Sequence, residues 1–124
     1  MNINILTIFP EIFEILKFGV VSRSIRNKTL LINSFDIRAN SVNKHKHIDA
    51  KPYGGGEGMV MMAEPIIKTL KKIDKKKRGH VIYLSPQGKK LNQKKIISMS
   101  KQKNITLICG RYEGIDQRII DKYV

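Results

Sequence analysis

Four short apolar runs, each long enough for a strand and too short for a helix, constrain the fold of this chain more than any other feature. They cover residues 2–8, 30–35, 81–84 and 105–109, and are rich in isoleucine and leucine. Continuous apolar runs of this length read as strands buried on both faces. Between them the spacing turns helical. Pro10 suits a first helical turn, and Ile12, Phe13 and Leu16 give it an apolar face that Gly19 ends. A second short helix is predicted over 20–26. A third is predicted over 63–77 through Ile66, Ile67, Leu70 and Ile73, with basic residues in its last turn and Gly79 as its stop. A fourth is predicted over 91–101. Strands alternating with helices predict an α/β fold, a parallel sheet with helices on both faces. Ligands of such sheets bind beyond the carboxyl ends of the strands. Residues 36–58 carry little periodicity, and no repeat or linker divides the chain, so residues 1–124 read as one domain.

Three loops stand out. Gly54, Gly55, Gly56 and Gly58 lie within five positions and lead directly into Met59-Val60-Met61-Met62. Ordering such a cluster is entropically costly, which leaves two readings: a flexible connection, or a backbone that must come close to a ligand. Leu84-Ser85-Pro86-Gln87-Gly88 and the stretch from Cys109 to Asp116 each follow a predicted strand, so the three loops can converge. A phosphate-binding P-loop is excluded, because no lysine and hydroxyl follow the glycines. The dinucleotide fingerprint also fails, since methionine stands where a third glycine is needed. His45, His47 and Asp49 lack the further ligands that a metal shell requires and read as surface or RNA-facing residues. The methionines read as packing, and the basic run from Lys68 to Arg78 as a solvated helix face. Glu113, between Tyr112 and Gly114, can be a cap, a ligand acceptor or an acid/base group; local sequence does not choose.

The net charge of +14 favours a polyanionic partner, RNA or DNA, although enrichment in lysine also supplies solvated charge. Cys109 is the one cysteine, so no intrachain disulfide forms and a reducing, cytoplasmic setting is expected. The N-terminus lacks the signature of a signal peptide. No run reaches the roughly 18–20 apolar residues that span a bilayer.

Taken together, these segments resemble the bacterial tRNA (guanine-N1)-methyltransferases, knotted methyltransferases of the SPOUT class. The likeness is carried by Leu6 to Phe13, Gly19-Val20, His47 to Met62, Tyr83 to Gly88 and Leu107 to Asp116, and so covers essentially the whole chain. The resemblance implies methyl transfer from S-adenosylmethionine to N1 of the guanine just 3′ of the anticodon of tRNA. DNA and membranes are not expected partners. It implies that Tyr83, Leu84, Ser85, Pro86, Gln87, Gly110, Tyr112, Glu113 and Gly114 contribute to the cofactor pocket. His47, Asp49, Tyr53, Gly54, Gly55, Gly56 and Gly58 would face the target guanine and the tRNA. Glu113 would lie near the reacting centre in a supporting role, where a magnesium requirement is linked to it, and the family works as a homodimer.

The chain departs from the family at Ala50, where an acid is common, at Lys51, where arginine is common, and at Glu57, where proline is common. The family also continues past the point matching Val124 with a glycine-rich segment that completes the knot, a general-base aspartate and a helical tRNA-binding domain. The expectation is therefore a partial SPOUT domain with the knot incomplete, in which Asp49, Asp116 and Asp121 do not substitute for that base and residues 1–124 alone do not catalyse. A non-catalytic RNA-binding derivative, or a decayed remnant, is the alternative.

Overall fold

The computed structural model describes residues 1–41 and 44–124. Four strands, β1 (Asn2–Thr7), β2 (Leu31–Asp36), β5 (His80–Tyr83) and β6 (Asn104–Ile108), form one sheet in the order β2-β1-β6-β5, and every pairing is parallel. A second, two-stranded antiparallel ribbon pairs β3 (Asp49–Ala50) with β4 (Val60–Met61). The helices are α1 (Gly19–Arg26), α2 (Ala63–Lys72), α3 (Lys75–Arg78), α4 (Gln93–Ser100) and α5 (Gln117–Tyr123).

The centre of the sheet is buried on both sides, as its apolar runs require. Ile5 and Leu6 are adjacent in β1 and point to opposite faces, yet both are buried. On one face Leu6, Val81 and Ile108 join Ile66 and Leu70 of α2 and Ile119 of α5 in the main core. On the other, Ile3, Ile105 and Leu107 meet Ile96 and Met99 of α4 around an apolar groove of about 200 Å³. Each fully buried isoleucine or leucine contributes about 1.5–3 kcal/mol through removal from water.

Two elements differ from the sequence reading. Residues 10–17 wind as a 3-10 helix rather than an α-helix, so side chains three apart share a face. Phe13 and Leu16 are therefore half-buried together, whereas Ile12, expected beside them, is exposed with Ile15. The long helix expected over 63–77 breaks at Ile73, which is extended. Asp74 starts a new turn there by accepting a hydrogen bond from the Lys76 N–H at 2.9 Å. Arg78 then folds back and donates to the carbonyls of Leu70 and Ile73, closing the carboxyl end of α2.

The carbonyls of α3 are claimed by the sheet. Asn4 donates to the Lys77 carbonyl, Asn104 to that of Lys76 and Thr106 to that of Arg78. Polar residues buried in the strands are thus paired, as buried polar groups must be. Of the aperiodic stretch 36–58, residues 42 and 43 lie outside the described residues; the rest supplies a short 3-10 turn at Arg38–Asn40 and the strand β3.

Candidate functional site

The register sets the site. Leu6 pairs with Ile108, and Ile108 with Tyr83, so β1, β6 and β5 end at one level and their following loops emerge side by side. The glycine-rich loop is stitched onto the loop after β6. The Glu113 N–H donates to the Met59 carbonyl at 3.0 Å, the Met61 N–H to the Gly114 carbonyl at 2.9 Å, and the Asp116 N–H to the Met61 carbonyl at 2.9 Å. Met61, fully buried, anchors the junction from below, as packing was expected to do. The expected convergence of three loops is the observed arrangement.

Tyr83 joins the third loop to the loop after β6. Burial pushes its phenol up in pKa, while hydrogen bonds with the Ser85 side chain and the Ile115 backbone pull the other way, so the group stays protonated at neutral pH. Around it Leu84, Pro86, Gln87, Gly110 and Tyr112 are exposed, leaving an open, largely apolar surface with backbone groups at its rim. Tyr112 sits at φ 61°, a left-handed conformation rare for a side chain of this size. Burial pushes the Cys109 thiol up, so it is a poor nucleophile.

Gly58 and Glu113 are in direct contact. At φ +85°, Gly58 would place a Cβ 2.5 Å from the Glu113 Cγ, so only glycine lets the carboxylate lie against the loop. Gly54, Gly55 and Gly56 have nothing packed within 4 Å of that position and face open space. Asp49 is half-buried in the ribbon opposite Met61. His47 is exposed, its ring 5.7 Å from that of His45 and its carbonyl accepting from the Ser41 hydroxyl. Among the described residues no group of three His, Cys, Asp or Glu side chains is placed to hold a metal ion.

Two features had no signal in the sequence reading. Phe9, at the end of β1, lies beneath both the Arg38 and Arg111 guanidinium groups, at 5.8 and 5.1 Å. Asp116 caps α5 and grips Arg118, accepting from its backbone N–H at 3.0 Å and from its Nη2 at 2.6 Å. The hydrogen bond from the Arg118 side chain, first among the causes, holds the Asp116 carboxyl below the usual carboxylate range. A depressed folded pKa means that the contribution is present above the unfolded value of about 3.9 and is lost as pH falls through the folded one. Asp116→Ala is expected to cost about 1 kcal/mol at neutral pH. The gap from wild type should narrow as urea unfolding is repeated below about pH 4.

A family model described as "tRNA (Guanine-1)-methyltransferase TrmD" matches residues 1–124. The chain belongs to the tRNA (guanine-N1)-methyltransferase family. Among its relatives are proteins named tRNA (guanine-N(1)-)-methyltransferase from Clostridium novyi (strain NT), 47% identical over 124 residues, covering 100% of this chain and 51% of that protein, and from Clostridium perfringens (strain SM101 / Type A), 48% identical over 119 residues, covering 96% and 50%. The crystal structure of tRNA (m1G37) methyltransferase from Aquifex aeolicus superposes with a TM-score of 0.87 at 35% identity, covering 98% of this chain and 56% of that one. The chain thus spans about half the length of the curated relatives it matches. Among the described residues no helix is long and apolar enough to cross a membrane.

Proposed function

We propose that this chain supplies the donor-side loops and the guanine-facing loop of a site that moves a methyl group from S-adenosylmethionine to N1 of the guanine 3′ of the anticodon. The observation that carries the reading is the junction of the three loops through Glu113, Gly114 and Tyr83. Bound S-adenosylmethionine would supply an electrophilic methyl group on a sulfonium sulfur. Tyr83, Leu84, Ser85, Pro86 and Gln87, with Gly110, Tyr112 and Gly114, would hold it by shape and backbone hydrogen bonds. The backbone at Gly110 and Gly114 closes directly onto Tyr83, with a Cβ at Gly110 placed 2.9 Å from the ring, which brings the two donor-side loops together without an intervening side chain. Orientation of this kind is a main source of rate in a one-step transfer.

Asp49, His47, Tyr53 and the glycines from Gly54 to Gly58 would take the guanine side. Glu113, held against Gly58, would be the carboxylate that this chain offers to a magnesium ion or to the substrate edge. Guanine N1 must lose a proton, and the base that accepts it is not among the carboxylates assigned here. A homodimer is the proposed working unit. It is supported by Phe18 and Val20, which stand 74% and 90% exposed beside Ile12 and Ile15 and form an apolar face that a second copy would cover.

Calorimetry of the 124-residue chain with S-adenosylmethionine and, separately, with tRNA tests the proposal. The expected result is binding of both, with micromolar affinity for the cofactor. Binding of tRNA without the cofactor would replace the reading with that of an RNA-binding protein.

A further inference from the structure

Phe9 is fixed at its backbone before anything touches its ring. It follows β1 and stands immediately before Pro10, and both of its backbone groups are used. Its N–H donates to the hydroxyl of the buried Thr7 at 3.1 Å, and its carbonyl accepts from the Ile12 N–H at 3.2 Å. The half-buried ring packs against the main core. Arg38, from the turn after β2, lies over this ring at 5.8 Å. Asp36 holds that guanidinium in a fork, accepting from Nε and from Nη2, each at 3.2 Å. The ends of two neighbouring strands thus meet on one aromatic ring.

Arg111 brings in a third. Its guanidinium lies 5.1 Å from the centre of the Phe9 ring and makes no ion pair among the described residues. Attraction to the ring takes the place of a carboxylate. The Arg111 N–H meets the Met61 sulfur at 3.3 Å, so its backbone is tied to the end of the glycine-rich loop while its side chain is tied to the end of β1. The next residue is Tyr112, at φ 61°. A bulky residue keeps such a conformation only where its surroundings over-determine the backbone. On one side of it the Glu113 N–H is bonded to the Met59 carbonyl at 3.0 Å. On the other stands Arg111, held by Met61 and Phe9.

We propose that Phe9 is a positioning residue for the donor site: by stacking Arg111 it holds the loop after β6, and with it Tyr112, in the conformation that receives S-adenosylmethionine. Phe9 and Arg111 act through the loop and not on the cofactor. The proposal rests on the methyl-transfer reading above and adds these two residues to it.

The test is amide hydrogen exchange of the 124-residue chain by NMR without ligand, together with calorimetry with S-adenosylmethionine. Phe9→Leu keeps an apolar side chain and loses the aromatic face. Arg111→Gln, at an exposed position, loses the charge without touching the core. Each should speed exchange at positions 111 and 113 while leaving the amides of β6 unchanged. Each should also weaken cofactor binding about 2- to 5-fold, the range expected of one stacked cation. Phe9→Tyr, which keeps the ring, should retain the affinity. The double variant should lose no more than the larger single loss, because both changes break one contact. If Phe9→Leu loosens β6 as well, Arg111→Gln alone decides. Unchanged cofactor affinity or unchanged local exchange in Arg111→Gln, or losses that multiply in the double variant, overturn the role of the stack and leave the methyl-transfer reading standing. Failure of wild type to bind S-adenosylmethionine overturns both.

Discussion

Gly79→Ala is expected to cost about 3–5 kcal/mol of folding stability, enough to bring a domain of ordinary stability close to unfolding. Gly79 links α3 to β5 with φ 62° and ψ −147°, a region open essentially to glycine alone. A Cβ there would lie 2.0 Å from the Asn104 carbonyl oxygen and 2.5 Å from its carbon. Those are backbone atoms of β6, which is hydrogen-bonded on both sides, to β1 and to β5. Backbone held on both sides cannot step aside as a surface side chain can. The left-handed conformation costs about 1–3 kcal/mol, and displacing packed structure about as much again. Moving this corner also pulls α3 away from the side chains of Asn4, Asn104 and Thr106, which hold its carbonyls. Urea unfolding followed by circular dichroism measures the loss as a lower midpoint. A shift equivalent to less than about 1 kcal/mol would mean that this contact yields more readily than its geometry requires.

Gly79 also shows which parts of the fold were legible. As a helix stop it could be read from position alone, but its closeness to Asn104, 25 residues on in sequence, could not. The central strands β1 and β6 were legible because their apolar runs are largely buried, so composition and length agree; β2, at the edge of the sheet, is largely exposed, against the expectation of burial on both faces. The break in α2 was not: apolar spacing continues smoothly through Ile73, and the interruption is made by the Asp74 cap and by Arg78 reaching back to α2 carbonyls. The helix α5 was missed because it is short and buries one side chain, Ile119. The ribbon of β3 and β4 has two residues in each strand, too few for alternation to register.

At the site, the loops could be recognised separately and their residue roles only through resemblance. Local spacing left Glu113 with three readings; its contact with Gly58 is what ties it to the glycine loop. Arg118 Nη2 donates to the Tyr53 hydroxyl across 65 residues of sequence, and nothing near either residue in sequence announces it. Charge pointed to a polyanion without saying where. The exposed lysines of α3 are spread over a solvated surface, whereas Lys51 and Lys71 share a cavity wall that only the fold creates.

Gly110→Val is expected to lower affinity for S-adenosylmethionine at least about tenfold, equivalent to about 1.4 kcal/mol, together with a loss of stability of about 1–3 kcal/mol from overpacking. Gly110 is itself exposed, but an added side chain would meet the edge of the main core, where Tyr83 packs and Ile115 lies. Its Cβ would lie 2.9 Å from Tyr83 Cε2 and 3.2 Å from both the Tyr83 hydroxyl oxygen and Ile115 Cγ2. Those distances are too short for the ring to stay in place once a branched side chain is added. Tyr83 would have to turn into the space that the donor loops leave open, breaking its contacts with Ser85 and the Ile115 backbone. Calorimetry with S-adenosylmethionine gives the affinity, and thermal melting in the absence of ligand gives the stability. Tyr83→Phe separates the two consequences of the change, since it removes the hydroxyl contacts and keeps the ring where it is. A small loss for Tyr83→Phe beside a large one for Gly110→Val means that the space beside the ring holds the ligand. Equal losses place the requirement in the phenol, and an unchanged affinity for Gly110→Val would remove the loop after β6 from the cofactor site.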